Sequence, residues 1–257
     1  MYRHLRLNLR PDGCAEVTLD RPPANSADFE MLEELTTMAL GFARDTPRVV
    51  TLASAHRIFM AGADLGAVEL SAARLSPFNL AFQAATNAWA AIPCPTIAAI
   101  NGHALGGGCE LTLACDWRIM ARGRARIGFP EVQRGLLAAG GGTQRAARLL
   151  GAARAKDLLM RGRLLDADEA YQIGLVSEAC DAGKLPDSVD ALVQELLALP
   201  THAVRASKRC VDEGLETTLF AGLMIERREV LALADTADAA EGVRAFLEKR
   251  EPVWTQG

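Results

Sequence analysis

Three consecutive glycines, Gly106-Gly107-Gly108, separate a wholly apolar run from a segment of helical character, and this junction constrains the fold more than any other part of the chain. The run PTIAAIN, residues 95–101, carries no charge and is too short for an ordinary buried helix, so it reads as a strand covered on both faces. Residues 109–115 continue as a helix. A strand passing through glycine into a helix is a step of an α/β fold with a largely parallel sheet. Bare backbone at such a junction also exposes N–H groups at a helix start, where the dipole favours negative charge. The plainer reading is a tight turn or close packing. Gly102, Gly106, Gly107 and Gly108 do not reproduce G-x-G-x-x-G, which argues against a dinucleotide-binding dehydrogenase.

The flanking sequence repeats the alternation. Residues 3–10 and 14–20 around Pro11-Asp12-Gly13 predict a hairpin. Apolar residues from Phe29 to Phe42 fall at helical spacing, so 27–44 reads as a helix that Asp28 or Ser26 caps. VVTLAS (49–54) reads as a strand, HRIFMAGADLG as a loop, 77–92 as a helix and 116–121 as another strand. Beyond about residue 140 the pattern is helical with few strand signals. Helices are expected at 142–150 and 153–160, with another capped by Asp166 or Asp168 and running toward Gly174. The stretch from about 185 to 250 is almost wholly helical, broken at Pro200.

Composition removes several classes of function. A net charge of −4 over 257 residues offers no general attraction to nucleic acid or to an anionic membrane surface. No apolar run reaches the length of a membrane span, and MYRHLRLNLRPDG lacks a signal-peptide core, so a cytoplasmic protein without membrane insertion is expected. Six cysteines form no C-x-x-C pair and the four histidines are scattered, so free thiols and no metal centre are expected.

Two carboxylates and one further loop complete the candidate chemistry. Ala61-Gly62-Ala63-Asp64 is a second small-residue loop, whose bland reading is a turn with Asp64 capping the next helix. Glu110 falls in the first turn after the glycines, where a carboxylate also complements the helix dipole. Glu131 follows Phe129-Pro130 and reads otherwise as a solvated loop residue.

Taken in order, FMAGADL (59–65), NGHALGGGCELTLACD (101–116), FPEVQRGLLAAGGGTQR (129–145) and AFLEKREPVW (245–254) resemble the crotonase, or enoyl-CoA hydratase/isomerase, superfamily, and most of all an enoyl-CoA hydratase. The resemblance spans roughly residues 10–255. It implies a crotonase-like ββα spiral core over residues 1–200 and a helical trimerisation region over 201–257. It implies an acyl-CoA substrate, no cofactor beyond the coenzyme A that the substrate carries, and a homotrimer or dimer of trimers. By motif match, Ala63 and Gly107 supply an oxyanion hole, and Glu110 and Glu131 bind and activate the water added across an α,β double bond. Glu131 is expected to protonate the α carbon, and Glu110 to position or deprotonate the water, near Gly135. Arg21, Ala61, Asp64, Leu65 and Lys249 fall at positions bordering coenzyme A, with Arg21 and Lys249 matched to its phosphates and Lys249 able to serve a neighbouring subunit.

The sequence departs from the family pattern at Gly66, where many relatives carry lysine, and at Ala138-Ala139, where Pro-Gly is usual. Segment 66–82, beside the acyl group, has no strong signature. Hydration is expected; the alternatives are isomerase, hydrolase or lyase chemistry on another acyl-CoA, or a silent acyl-CoA-binding subunit. Retention of both glutamates favours hydration.

Overall fold

The computed structural model describes residues 2–66 and 70–255. The chain opens on a hairpin, β1 (Leu5–Leu9) and β2 (Cys14–Leu19), followed by helix α1 (Phe29–Arg44). One pattern then recurs three times. The first unit is β3 (Val49–Ser54), β4 (Ile58–Met60) and α2 (Ala72–Ala90). The second is β5 (Thr96–Ile100), β6 (His103–Leu105) and α3 (Gly107–Leu113). The third is β7 (Trp117–Ala121), β8 (Ile127–Gly128), a 3-10 turn at Glu131–Arg134, and α4 (Gly142–Leu150). Next come α5 (Ala152–Arg161), β9 (Leu164–Leu165), α6 (Ala167–Gln172) and β10 (Glu178–Cys180). The chain ends in α7 (Leu185–Leu197), α8 (Thr201–Leu215), α9 (Leu219–Ala234) and α10 (Ala237–Glu248).

In each unit the first strand enters a large sheet, ordered β1-β2-β3-β5-β7-β10, and the second enters a small one, β4-β6-β8-β9. Alternating between two sheets while helices pack outside them gives the ββα spiral expected from the resemblance. The β1–β2 and β8–β9 pairs are antiparallel, and the crossover pairs are parallel. β5 is buried at every residue, as its apolar run demands.

Local signals act where they were read. Gly13 turns the hairpin, and Asp28 caps α1 by accepting from the Met31 N–H at 2.9 Å. Met31, Leu32, Leu35, Met38, Ala39 and Phe42 form the buried stripe of α1. Trp89 of α2 donates its Nε1–H to the Leu35 carbonyl at 3.1 Å, joining the two helices inside the core.

Other expectations need correcting. α2 begins at Ala72 after Ser71 and passes through Pro77, five residues ahead of the expected start. Pro77 cannot donate to the Ala73 carbonyl, but both residues are exposed, so water can serve that group. Asp64 does not cap this helix. The glycine-rich turn at 102–108 contains β6, the loop before AGAD contains β4, and β9 and β10 lie beyond residue 140. Strands of two or three residues are too short for a periodicity to be visible.

α7 packs on the large sheet, whereas α8 packs chiefly on α9. Pro200, the sequence boundary, is the N-cap of α8. Lys208 of α8 forms an ion pair with Asp116, and Arg205 donates to the Thr46 and Pro47 carbonyls at 3.0 and 3.1 Å, tying α8 to the segments that lead into β7 and β3. Residues 256 and 257 of the expected C-terminal region, and 67–69 of the acyl-side segment, lie outside the described residues. Among the described residues no helix is long and apolar enough to cross a membrane.

Candidate active site

Two loops meet at the start of α3. Gly106 joins β6 to the helix with φ 54°, and its N–H donates to the Gly128 carbonyl at 2.9 Å. A Cβ at that point would stand 2.5 Å from Oε1 of Glu131, so glycine is what lets this carboxylate lie against the junction. The AGAD loop crosses over from β4 and pairs with residues 24–27. Ala27 N–H donates to Gly62 O and Asp64 N–H to Ala27 O, each at 2.8 Å, forming a parallel bridge between Ala27 and Ala63. This pattern engages the groups on either side of Ala63 and leaves the Ala63 N–H off the bridge. The Cβ position of Gly62 lies 3.2 Å from the Gly107 nitrogen, so the loops touch. Gly107, first residue of α3, has no earlier helical carbonyl to bond. The two N–H groups matched to the oxyanion hole therefore belong to neighbouring stretches of backbone.

Glu110 is buried one turn into α3, and its Oε1 accepts the Gly142 N–H at 2.7 Å. Burial pushes its carboxyl up to about 7 and the nearby Glu131 charge adds to this, while the Gly142 and Gly140 N–H groups and Arg145 pull it down. Glu131 opens the 3-10 turn, and its Oε2 is buried without a hydrogen-bond partner. Its carboxyl is also raised by burial, against the pull of its own N–H and Arg134. A desolvated oxygen without a donor favours the protonated acid. An N–H aimed at Glu110 favours the carboxylate. Burial thus raises both carboxyls, Glu110 to about 7, and the charge of one acts on the other, so the two form one coupled site for proton exchange.

The remaining sequence-predicted residues sort by place. Arg21 reaches across the AGAD loop: Nη2 lies 2.8 Å from Asp28 and 3.0 Å from Asp64, and Nη1 donates to Ser26 O at 2.7 Å. Its charge is therefore engaged within the protein, where it braces Asp64. Ala61 N–H donates to Ala24 O at 3.0 Å, and Leu65 is exposed at the loop tip beside Gly66. Gly135 ends the 3-10 turn in the left-handed region, its N–H turned back to Val132 O at 3.2 Å; Gly142, not Gly135, is the glycine bonded to a catalytic candidate. Lys249 is the left-handed C-cap of α10, a helix that packs on α9. Among the described residues, one group of potential cation ligands, His4, Asp28 and Glu30, lies within 4.8 Å, with both carboxylates already paired to arginines.

Sequence reasoning missed two supports of α3. The Phe82 ring lies against Gly107 and Gly140, filling the space that those glycines open. Arg118, itself buried, donates to the Thr112 and Cys115 carbonyls at 3.2 and 2.6 Å, capping the C-terminal end of the same helix. Phe82 has no local signature, and a charged residue in a strand pattern carries no hint of carbonyls brought to it by the fold.

Comparison with known proteins gives one answer. A family described as enoyl-CoA hydratase/isomerase matches residues 10–257. The human mitochondrial enoyl-CoA hydratase domain-containing protein 2 is 41% identical over 251 residues, covering 94% of this chain and 86% of that protein. An enoyl-CoA isomerase/hydratase of Mycosarcoma maydis is 36% identical over 264 residues, covering 96% of each. The crystal structure of an enoyl-CoA hydratase from Bacillus anthracis superposes with a TM-score of 0.93 at 33% identity, covering 99% of this chain and 100% of that one.

Proposed function

The chain belongs to the enoyl-CoA hydratase/isomerase family of the crotonase superfamily, and on that premise we propose how its residues divide the work of adding water to a trans-2-enoyl-CoA. It is an enoyl-CoA hydratase, a carbon–oxygen lyase. The observation that carries the assignment of roles is the placement of two carboxyls beside two glycine-opened loops: Glu110 is buried and accepts the Gly142 N–H, and Glu131 is half-buried with its Oε2 lacking a donor.

Ionised Glu110 takes a proton from water as the water oxygen bonds to the β carbon. The double-bond electrons move toward the thioester carbonyl, giving an enolate-like species whose oxygen accepts the N–H groups of Ala63 and Gly107. Fixed donors aimed at a developing oxyanion contribute about 3 kcal/mol each to barrier lowering. Protonated Glu131 gives its proton to the α carbon, the carbonyl re-forms, and 3-hydroxyacyl-CoA leaves. Glu110 ends protonated and Glu131 ionised, and return of one proton resets the pair. The sequence needs no cofactor beyond the coenzyme A of the substrate.

Coenzyme A lies across the AGAD loop in this reading. Ala61, Asp64 and Leu65 border its adenine or pantetheine, Arg21 holds the loop in shape, Gly135 stands near the water path, and Lys249 reaches the phosphates of a neighbouring subunit's ligand. A homotrimer or dimer of trimers is supported by apolar side chains on the C-terminal helices, with Phe220 76% and Phe246 82% exposed in the single chain. Light scattering on the purified protein measures that assembly. Six unpaired cysteines suit a reducing, cytoplasmic setting.

The activity is tested by following loss of the conjugated thioester absorbance of crotonyl-CoA and longer enoyl-CoAs, with identification of the 3-hydroxyacyl product. Binding of coenzyme A without hydration of any member of that series overturns the reading.

A further inference from the structure

We propose that a polar column on α2, formed by Asn79, Gln83 and Thr86, is a clamp that positions Glu110 by holding the loop before α4. The segment from Gly135 to Gly142 contains four glycines and no proline, a composition with little stiffness of its own. Yet it must place one N–H, that of Gly142, at 2.7 Å from Glu110. Residues 79, 83 and 86 follow i, i+4, i+7 spacing and share one face of α2. All three donate to this loop. The Asn79 and Gln83 amides both reach the Ala139 carbonyl, at 2.7 and 2.8 Å, and the Thr86 hydroxyl donates to the Gly140 carbonyl at 2.7 Å. Thr86 is buried and itself accepts from Arg145 Nη1 at 3.4 Å. Arg145 Nη2 bonds Asn87 Oδ1 at 2.7 Å, so α4 is fastened to the same helix.

Two successive carbonyls, fixed by three side chains, leave the following peptide groups little freedom. These are the groups that face Glu110. The column touches neither carboxylate, so its members are positioning residues for the water-activating step. The inference rests on the reading of Glu110 given above. Its signature is a fall in kcat with KM kept, because a displaced base weakens the transition state without touching the coenzyme A loop.

A second signature is in the pH profile. Loss of the Gly142 and Gly140 N–H contacts removes donors that favour the Glu110 carboxylate, so the acid limb of kcat shifts to higher pH. The charges acting on Glu110, Glu131 from the 3-10 turn and Arg145 from α4, are both retained in the variants. Other titratable groups on elements that contact α3 are Arg74 of α2, His103 of β6, Arg118 of β7 and Arg148 of α4, and none is altered.

The test compares Gln83→Leu/Thr86→Val, Thr86→Val alone and Thr86→Ser with the parent and with Glu110→Gln, in the full-length protein with crotonyl-CoA. The double variant is expected to lose about tenfold or more in kcat at a KM within about twofold, with the acid limb moved up. Thr86→Ser, which keeps the hydroxyl, is expected to restore parental values. If the double variant does not fold, Thr86→Val carries the same comparison. A clamp variant with parental kcat and pH profile, or a serine variant as impaired as the valine, overturns the clamp. An active Glu110→Gln overturns instead the role of Glu110 on which it stands.

Discussion

The active site and the C-terminal helices each bury glutamates, and they treat them in opposite ways. Glu110 is 3% exposed, and Glu229 on α9 and Glu241 on α10 are each 6% exposed. Glu229 is gripped by Arg209 and Arg228, and Glu241 by Arg244, Arg250 and the Val253 N–H. These partners hold Glu229 below, and Glu241 well below, the ordinary carboxylate range. They also cover it from the surface side, so Glu241 is hidden by its own arginines, whereas Glu110 lies deep in the core. Glu110 and Glu131 have no arginine on their oxygens, and burial raises both. The carboxylates of the C-terminal helices are given cations; those proposed to exchange protons are left to desolvation and a few backbone donors.

Removing the proposed proton-transfer groups breaks the comparison most sharply. Glu110→Gln and Glu131→Gln are each expected to lower kcat by about 10²- to 10⁴-fold with KM for crotonyl-CoA little changed. Steady-state kinetics decides, and parental kcat in either variant removes that residue from the mechanism.

Stability against pH separates the two sets next. The folded-state carboxyl of Glu110 titrates at about 7, against an ordinary 4.5. Below the ordinary value both states are protonated and nothing is gained or lost. As pH rises toward 7 the unfolded chain ionises first, so Glu110 costs stability, reaching on the order of 3 kcal/mol above pH 7. Glu110→Gln should therefore be more stable than the parent at pH 8 and equal to it near pH 4, by chemical denaturation. A variant less stable at pH 8 contradicts this. Glu229 and Glu241 have the opposite sign: their stabilisation is present above the ordinary carboxylate value and is lost as pH falls through their lowered ones.

The smallest effect is expected at Glu241→Gln. Loss of the Arg250 and Arg244 pairs should loosen the tail over α10, lower the thermal midpoint by a few degrees and leave kcat within about twofold of the parent. A tenfold loss of kcat would mean that the C-terminal helices act on the site more directly than the contrast allows.

Much of this was legible in residue order. The glycine junction, the buried strand before it, the AGAD loop and both glutamates stand where they were read, because strand burial, turn formation and helix initiation depend on neighbours within a few positions. What escaped was either very short or far apart in the chain. β4, β9 and β10 are too brief to show a period. The bond between Gly142 and Glu110 spans 32 residues, that between Gln83 and Ala139 spans 56, and Arg118 caps α3 with carbonyls that only the fold brings to it. The pairing of Arg21 with Asp28 and Asp64 escaped for the same reason.

The sequence by itself determined the family, the sheet-and-helix alternation and the two glutamates proposed to react, since these are carried by residue type and local spacing. Only the tertiary structure decided that Glu110 meets the Gly142 N–H, that Oε2 of Glu131 is left without a donor, and which buried carboxylates are paired with arginine. Proton affinity depends on burial, on distance to other charges and on the direction of N–H groups, and those quantities come into being when distant segments pack.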